Sequence, residues 1–108
     1  MSEVKMSPGS PKFKKPFSLD HLPSLSRIWT RFGVTQAWLF GSHARGDAKT
    51  GSDWDFLVEF THPPDFGSFM GLKFCLEEEL GGPVDLLSRA ACKPRFLGAI
   101  QPHLVDVT

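Results

Sequence analysis

The chain has 108 residues, of which 41% are hydrophobic and 22% charged, a composition that predicts one soluble globular domain. Its formal net charge is +0, which argues against a dedicated nucleic-acid binder and against attraction to an acidic membrane. The two cysteines, Cys75 and Cys92, lack CxxC spacing, which argues against a zinc site or a disulfide framework. With no membrane-spanning run and no secretory signal in the sequence, we expect a cytoplasmic protein.

The N-terminal segment, residues 1–16, is rich in proline, serine and lysine and contains almost nothing that could be buried. This composition predicts a disordered basic tail, followed by one domain over residues 17–108. Lys12, Lys14 and Lys15 could touch a phosphate or an acidic partner, although such a cluster is typical of a solvated tail.

A first helix is predicted from about Leu19 to Phe32, with Ser18 as its N-cap and Gly33 ending it. Pro23 falls in the first turn, where proline is tolerated. The helical spacing is carried by five apolar residues, Leu22, Leu25, Ile28, Trp29 and Phe32.

Strands and helices alternate in the rest of the chain, which predicts an α/β or α+β fold with helices packed on one sheet. The connection between the first two strands is only about a dozen residues, near the lower limit for a parallel crossover, so we expect a small mixed sheet. The predicted strands are Gln36–Phe40, Trp54–Phe60 and Val84–Leu87, and the predicted helices are a short one after Ser42, Phe66–Leu80, and Lys93 to about Leu104.

Gly41 and Ser42 lie where the first predicted strand passes into a short helix. Glycine lets the backbone approach a phosphate closely, and a serine at this point offers a hydroxyl and backbone N–H groups. The pair indicates an anion site only weakly, because such pairs are common in turns.

Asp53 and Asp55 are spaced i, i+2 at the mouth of the second strand, which puts both carboxylates on one face. Adjacent carboxylates repel each other, and a divalent cation such as Mg²⁺ relieves that repulsion. Asp85 interrupts the otherwise apolar strand VDLL, where an aspartate is costly unless it is paired or bound to metal. If the two strands are neighbours, the three carboxylates could hold two metal ions.

The run GSHARGDAKTGSDWDFLV, followed by VDLLSRAACKPRFLGAI, resembles the signature of the minimal nucleotidyltransferases. These are the antitoxin partners of HEPN-domain toxins and belong to the DNA-polymerase-β-like nucleotidyltransferase superfamily. The resemblance covers roughly residues 19–104 and implies the polymerase-β-like nucleotidyltransferase fold. It also implies two Mg²⁺ ions, ATP as nucleotide donor, and transfer of AMP to a toxin hydroxyl, with tyrosine as the expected acceptor.

Carried over residue by residue, the resemblance assigns the triphosphate to Gly41 and Ser42, and the metals to Asp53 and Asp55 with Asp85 completing one site. Asp85 would also orient or deprotonate the acceptor hydroxyl. Two further residues of the signature, Arg45 and Ser52, are assigned to the nucleotide site: Arg45 could reach phosphate or pair with a carboxylate, and Ser52 could hydrogen-bond the loop.

Two functions remain open: an enzyme that adenylylates its toxin, and an antitoxin that acts by occlusion alone. In either, we expect a hetero-oligomer with the toxin and no nucleic-acid or membrane partner. A small-molecule nucleotidyltransferase is disfavoured because only about 20 residues follow Asp85, too few for an acceptor domain. The chain has no tyrosine, so it cannot modify a tyrosine of its own.

Three further features have less functional interpretations. We expect His43 to be solvent-exposed, although it adjoins the site and could touch phosphate, and we expect Trp54 and Phe56 to face the core. The three consecutive glutamates, Glu77, Glu78 and Glu79, are typical of a solvated helix face.

Overall fold

The computed structural model describes residues 21–49 and 51–108, so the predicted tail, the predicted cap Ser18 and the predicted start Leu19 lie outside the described residues. The helices are α1 (Leu22–Phe32), α2 (Ser42–Arg45), α3 (Phe66–Leu80) and α4 (Pro94–Ile100). The strands are β1 (Val34–Phe40), β2 (Trp54–Phe60), β3 (Val84–Ser88) and β4 (Val105–Asp106). None of the described helices is long and apolar enough to cross a membrane.

The ends of α1 follow its sequence. Pro23 lies in the first turn, and the helix buries Leu25 and Trp29 on one face. Gly33 ends it in the left-handed region, with φ 73° and its N–H turned back to the last carbonyls, as predicted. β1 therefore starts immediately after the helix, at Val34, two residues before the predicted start.

The described strands form one mixed sheet in the order β3-β2-β1-β4. β1 runs antiparallel to β2 and to β4, while β2 and β3 are parallel, so the expectation of a mixed sheet is confirmed. The short glycine-punctuated connection after Gly41 turns β1 back into its neighbour, and the 15-residue helix α3 makes the parallel crossover from β2 to β3.

The main core lies between one face of the sheet and the helices α1 and α3. Phe56 is fully buried there, and Trp54 packs at its edge, which confirms both as core-facing residues. On the opposite face of the sheet, Leu97 and Leu104 from the C-terminal segment line a small cavity together with Trp38 and Leu57. Cys75 and Cys92 are half-buried free thiols.

The predicted last helix is wrong at its end. α4 stops at Ile100, a 3₁₀ turn follows at Gln101–His103, and β4 then pairs with β1. Pro102 has no N–H to continue the α-helical hydrogen bonds, so the chain is freed to join the sheet edge. Val107 is buried at that edge, where its N–H donates to Ala37 and its carbonyl accepts from the Trp29 indole, each over 3.0 Å.

The predicted glutamate face also needs correction at Glu77, whose side chain is half-buried. Its Oε2 accepts from Lys73 Nζ at 2.7 Å and from the backbone N–H of Val84 at 3.0 Å. The carboxylate thus holds the start of β3 against α3, one residue before Asp85. Glu78 is exposed, as expected.

Candidate active site

The turn after β1 is built on Gly41, which has φ 78° and ψ −157°, a conformation open essentially to glycine alone. A Cβ at this position would overlap the carboxylate of Asp55. α2 begins at once, with the Arg45 N–H donating to the Gly41 carbonyl at 3.0 Å. The predicted anion-binding turn therefore lies directly against one of the predicted metal ligands.

Asp55 and Asp85 are register partners on the parallel strands β2 and β3. Residues paired in this way project from the same face of a sheet. Val84 and Leu86 are buried on the other face. The predicted juxtaposition of these two aspartates on one face is confirmed. Asp53 lies just before β2 and is exposed.

The carboxylates influence one another electrostatically. Burial raises the pKa of Asp55 above its ordinary value, and the nearby charges of Asp85 and Asp53 raise it further. His43 and Arg45 act in the opposite direction on the pKa of Asp55. The three predicted metal ligands thus share one local field, in which a cation would be favoured.

The chemistry of this donor set suits Mg²⁺, which prefers carboxylate oxygens. Among the described residues, however, no three His, Cys, Asp or Glu side chains are already gathered closely enough to hold a metal ion. Asp85 is exposed, so the expectation that its carboxylate is costly within an apolar strand is wrong, because its side chain lies on the open face of the sheet; Asp55 is half-buried. The backbone brings the donors to one edge of the sheet without closing them into a cluster.

The two remaining predicted site residues belong to the loop between β1 and β2. Arg45 pairs with a carboxylate, that of Asp47, at 3.2 Å, and both side chains are largely exposed. Ser52 accepts from the Lys49 N–H at 2.8 Å through its hydroxyl, and its own N–H donates to the Lys49 carbonyl at 2.9 Å. The predicted loop-bonding role of Ser52 is consistent with this geometry.

His43 is not the solvent-exposed residue that we expected. Its ring is half-buried and stacks on the Trp54 indole, with ring centroids 3.6 Å apart and planes inclined by 9°. Its Nε2 lies 3.2 Å from the carbonyl of Ser52. No sequence periodicity joins residues 11 positions apart in different elements, so the pattern could not reveal this contact.

A cavity of about 530 Å³ opens away from the carboxylates, at the other end of β2, where Glu59, Arg89 and Thr35 line it. None of the predicted site residues touches it. The carboxylates are the candidate active site, because charge and register converge there whereas the cavity lining combines an ion pair with apolar residues.

Residues 20–107 match the nucleotidyltransferase domain family. The chain is 44% identical over 77 residues to the protein adenylyltransferase MntA of Thermococcus cleftensis, an alignment that covers 71% of this chain and 78% of the relative.

Solved structures agree with the fold. One, of a candidate minimal nucleotidyltransferase, superposes with a TM-score of 0.71 at 30% identity, over 80% of this chain and 88% of that protein. Another, of a tri-AMPylated Shewanella oneidensis HEPN toxin in complex with MNT antitoxin, has a TM-score of 0.63 at 16% identity and covers 82% and 69%. With its match over nearly the whole domain, its signature turn and its register-paired aspartates, the chain belongs to the nucleotidyltransferase domain family, as its resemblance to the minimal members led us to expect.

Proposed function

We propose that this protein is an antitoxin that transfers AMP from ATP to a hydroxyl group of a cognate HEPN toxin. The observation that carries the proposal is the meeting of Gly41, Asp55 and Asp85 at one edge of the sheet. The sequence identity to a relative that is named a protein adenylyltransferase supports a protein as the acceptor. The shared fold with an MNT antitoxin in complex with an AMPylated toxin is consistent with it.

In this proposal Gly41 and Ser42 receive the triphosphate. Because residue 41 has no Cβ, the turn packs directly against the Asp55 carboxylate, so bound phosphates would lie beside a proposed metal ligand. Arg45 is close enough to lower the pKa of Asp55, and it could exchange its exposed partner Asp47 for a phosphate oxygen. Ser52 keeps the loop before Asp53 folded.

Asp53, Asp55 and Asp85 would hold two Mg²⁺ ions. When bound, the ions neutralise the triphosphate, activate the attacking oxygen and stabilise the leaving group. The partly desolvated Asp55 gains most from such a cation, because burial and its two acidic neighbours all disfavour its charged form.

Transfer forms a bond between the acceptor oxygen and the α-phosphorus of ATP and breaks the bond from that phosphorus to the β-phosphate bridge. Pyrophosphate leaves with the bonding electron pair. The exposed Asp85 carboxylate is the group that can meet an incoming hydroxyl and accept its proton. A tyrosine acceptor must come from the partner, because this chain has no tyrosine.

The test is label transfer. Purified protein is incubated with ATP labelled on the α-phosphate, Mg²⁺ and the product of the neighbouring gene, and the partner is then analysed for label. Transfer by the wild type that is lost in Asp53→Asn and Asp55→Asn, and kept in the exposed control Glu78→Gln, supports the proposal.

The same variants separate catalysis from occlusion. If Asp55→Asn neutralises the toxin as well as the wild type, and neither protein transfers label, binding alone accounts for the antitoxin effect. Co-purification of the two proteins reports on the expected hetero-oligomer independently of transfer.

A further inference from the structure

The His43 side chain connects two parts of the site that the chain itself joins only through a loop. Its backbone lies in α2, next to Ser42, and its ring reaches across to the residues around the aspartate pair. A carbonyl oxygen can only accept, so the Nε2 nitrogen must carry the proton in the 3.2 Å contact to Ser52. The stacked Trp54 indole lies between Asp53 and Asp55 in the sequence.

The intervening loop has few other described supports. Gly46 and Gly51 both have positive φ, and the paired contacts of Lys49 with Ser52 close a local turn without attaching it to the sheet. Trp54, in contrast, is firmly placed: its N–H donates to the Pro83 carbonyl at 2.8 Å, and its ring packs at the edge of the core. His43 therefore hydrogen-bonds the last part of the loop at Ser52 and stacks on Trp54, which the sheet and the core hold in place.

We propose that His43 is a positioning residue, which fixes the distance between the triphosphate-binding turn and the metal-binding aspartates. This inference rests on the proposed function and concerns the same site. Its physical basis is pre-organisation: ligands held by a supporting contact do not have to be ordered when the metal and nucleotide bind. In this role His43 acts through its contacts with Ser52 and Trp54 and not on the reacting atoms.

Three variants separate the two parts of the contact. His43→Phe keeps an aromatic ring on Trp54 and removes the donor, His43→Gln keeps a donor and removes the ring, and His43→Ala removes both. His62→Ala is the control, since His62 is exposed in the loop after β2. For each, amide hydrogen exchange over residues 46–53 is measured without ligand, and affinity for Mg²⁺ with a non-hydrolysable ATP analogue is measured by calorimetry.

We expect faster exchange over residues 46–53 in His43→Ala than in the wild type, with His43→Phe and His43→Gln in between. Affinity for the Mg²⁺–nucleotide complex should fall about 10- to 100-fold in His43→Ala, the usual effect of removing a partner that orients metal ligands. In the transfer assay the KM for ATP and the Mg²⁺ requirement should rise, while the KM for the toxin stays unchanged. A purely structural role would instead lower the melting temperature and leave the KM for ATP and the Mg²⁺ requirement unchanged.

The inference is overturned if exchange and nucleotide affinity in His43→Ala equal those of His62→Ala. Should His43→Ala fail to fold, His43→Phe decides the question, because it retains the stack. If the wild type itself binds no Mg²⁺–nucleotide complex, the proposed function fails, and the exchange measurement still tests the role of His43.

Discussion

Asp55 and Asp85 are register partners on adjacent parallel strands, and the carboxylate of Asp55 fills the space where a Cβ of residue 41 would stand. One side chain thus belongs to the acidic edge and also contacts the turn at Gly41 that we propose binds phosphate. The arrangement costs the ligand-free protein stability, because burial and like charges disfavour ionised Asp55. Sites built for a charged ligand commonly carry such a cost.

Asp55→Asn should therefore stabilise the ligand-free protein at neutral pH while abolishing transfer. A carboxyl group whose pKa is raised on folding destabilises the fold as the pH rises above its unfolded pKa, and the loss is complete above its folded pKa. The gain should be a few degrees in melting temperature, since solvent screens much of the repulsion. It should disappear below the ordinary pKa of 3.8, where Asp55 is protonated in both folded and unfolded chains. Melting curves in EDTA at several pH values measure it.

The same variant tests ligand binding. Saturating Mg²⁺ and ATP should raise the melting temperature of the wild type, by the equivalent of about 2.7 kcal/mol at 100 times the Kd. Asp55→Asn should show little of this rise. Equal stabilisation of both proteins would mean that Asp55 does not contribute to the Mg²⁺–nucleotide site.

Gly41→Ala should lower both stability and transfer activity. Residue 41 has a positive φ, and an added Cβ would overlap the Asp55 carboxylate. The backbone strain alone costs about 1–3 kcal/mol, and displacement of the carboxylate should reduce transfer by more than about 100-fold. Gly33→Ala is the matched control: Gly33 also has positive φ, 73°, but a Cβ there meets nothing within 4 Å. It should lose about 1 kcal/mol of stability and keep its activity. Comparable activity losses in both variants would contradict the close-approach role of Gly41.

The candidate site residues could be selected from the sequence because they are marked locally. The glycine follows a buried strand, the aspartates alternate at a strand mouth, and the third aspartate interrupts an apolar run. Period-two alternation also gave the bounds of β2, and helical spacing with a terminal glycine gave those of α3. Features that depend on residues close together in the sequence can therefore be predicted from local patterns.

The missed features all depend on partners distant in the chain. β4 is too short to show a pattern and exists because β1 offers a free edge. Glu77 looks like its exposed neighbour until the N–H of Val84 is placed beside it. The stack of His43 on Trp54 requires the turn at Gly41 to bring α2 back over the sheet. None of these contacts produces a periodic pattern in the amino-acid sequence.

The C-terminal edge can be tested through Val107, which is 1% exposed and contacts the Trp29 indole through its carbonyl. Val107→Ala should destabilise the fold by about 2 kcal/mol, from two lost methyl groups and the cavity that they leave. Val105→Ala, in the same strand but 38% exposed, should change stability by less than about 0.5 kcal/mol. Denaturant unfolding of both variants measures the difference. Equal effects would argue that the last residues do not pack at the sheet edge.

Glu77 gives a prediction of pH dependence that concerns the placement of Asp85. The hydrogen bond from Lys73 lowers the pKa of Glu77 below its ordinary value of 4.5, and the Val84 N–H lowers it further. A carboxyl group with a lowered folded pKa contributes stability above its unfolded pKa, and this contribution is lost as the pH falls through the folded pKa. Glu77→Gln should thus be less stable than the wild type at neutral pH, and the two should converge in acid.

Exposed Glu78→Gln is the control and should follow the wild type at every pH. Because Val84 immediately precedes Asp85, Glu77→Gln should also reduce transfer modestly, through a looser start of β3. Thermal melts and transfer rates measured from pH 3 to pH 7 on the same samples separate the two effects. A Glu77→Gln variant whose stability deficit stays constant across that range would show that the charge of Glu77 does not hold β3 in place.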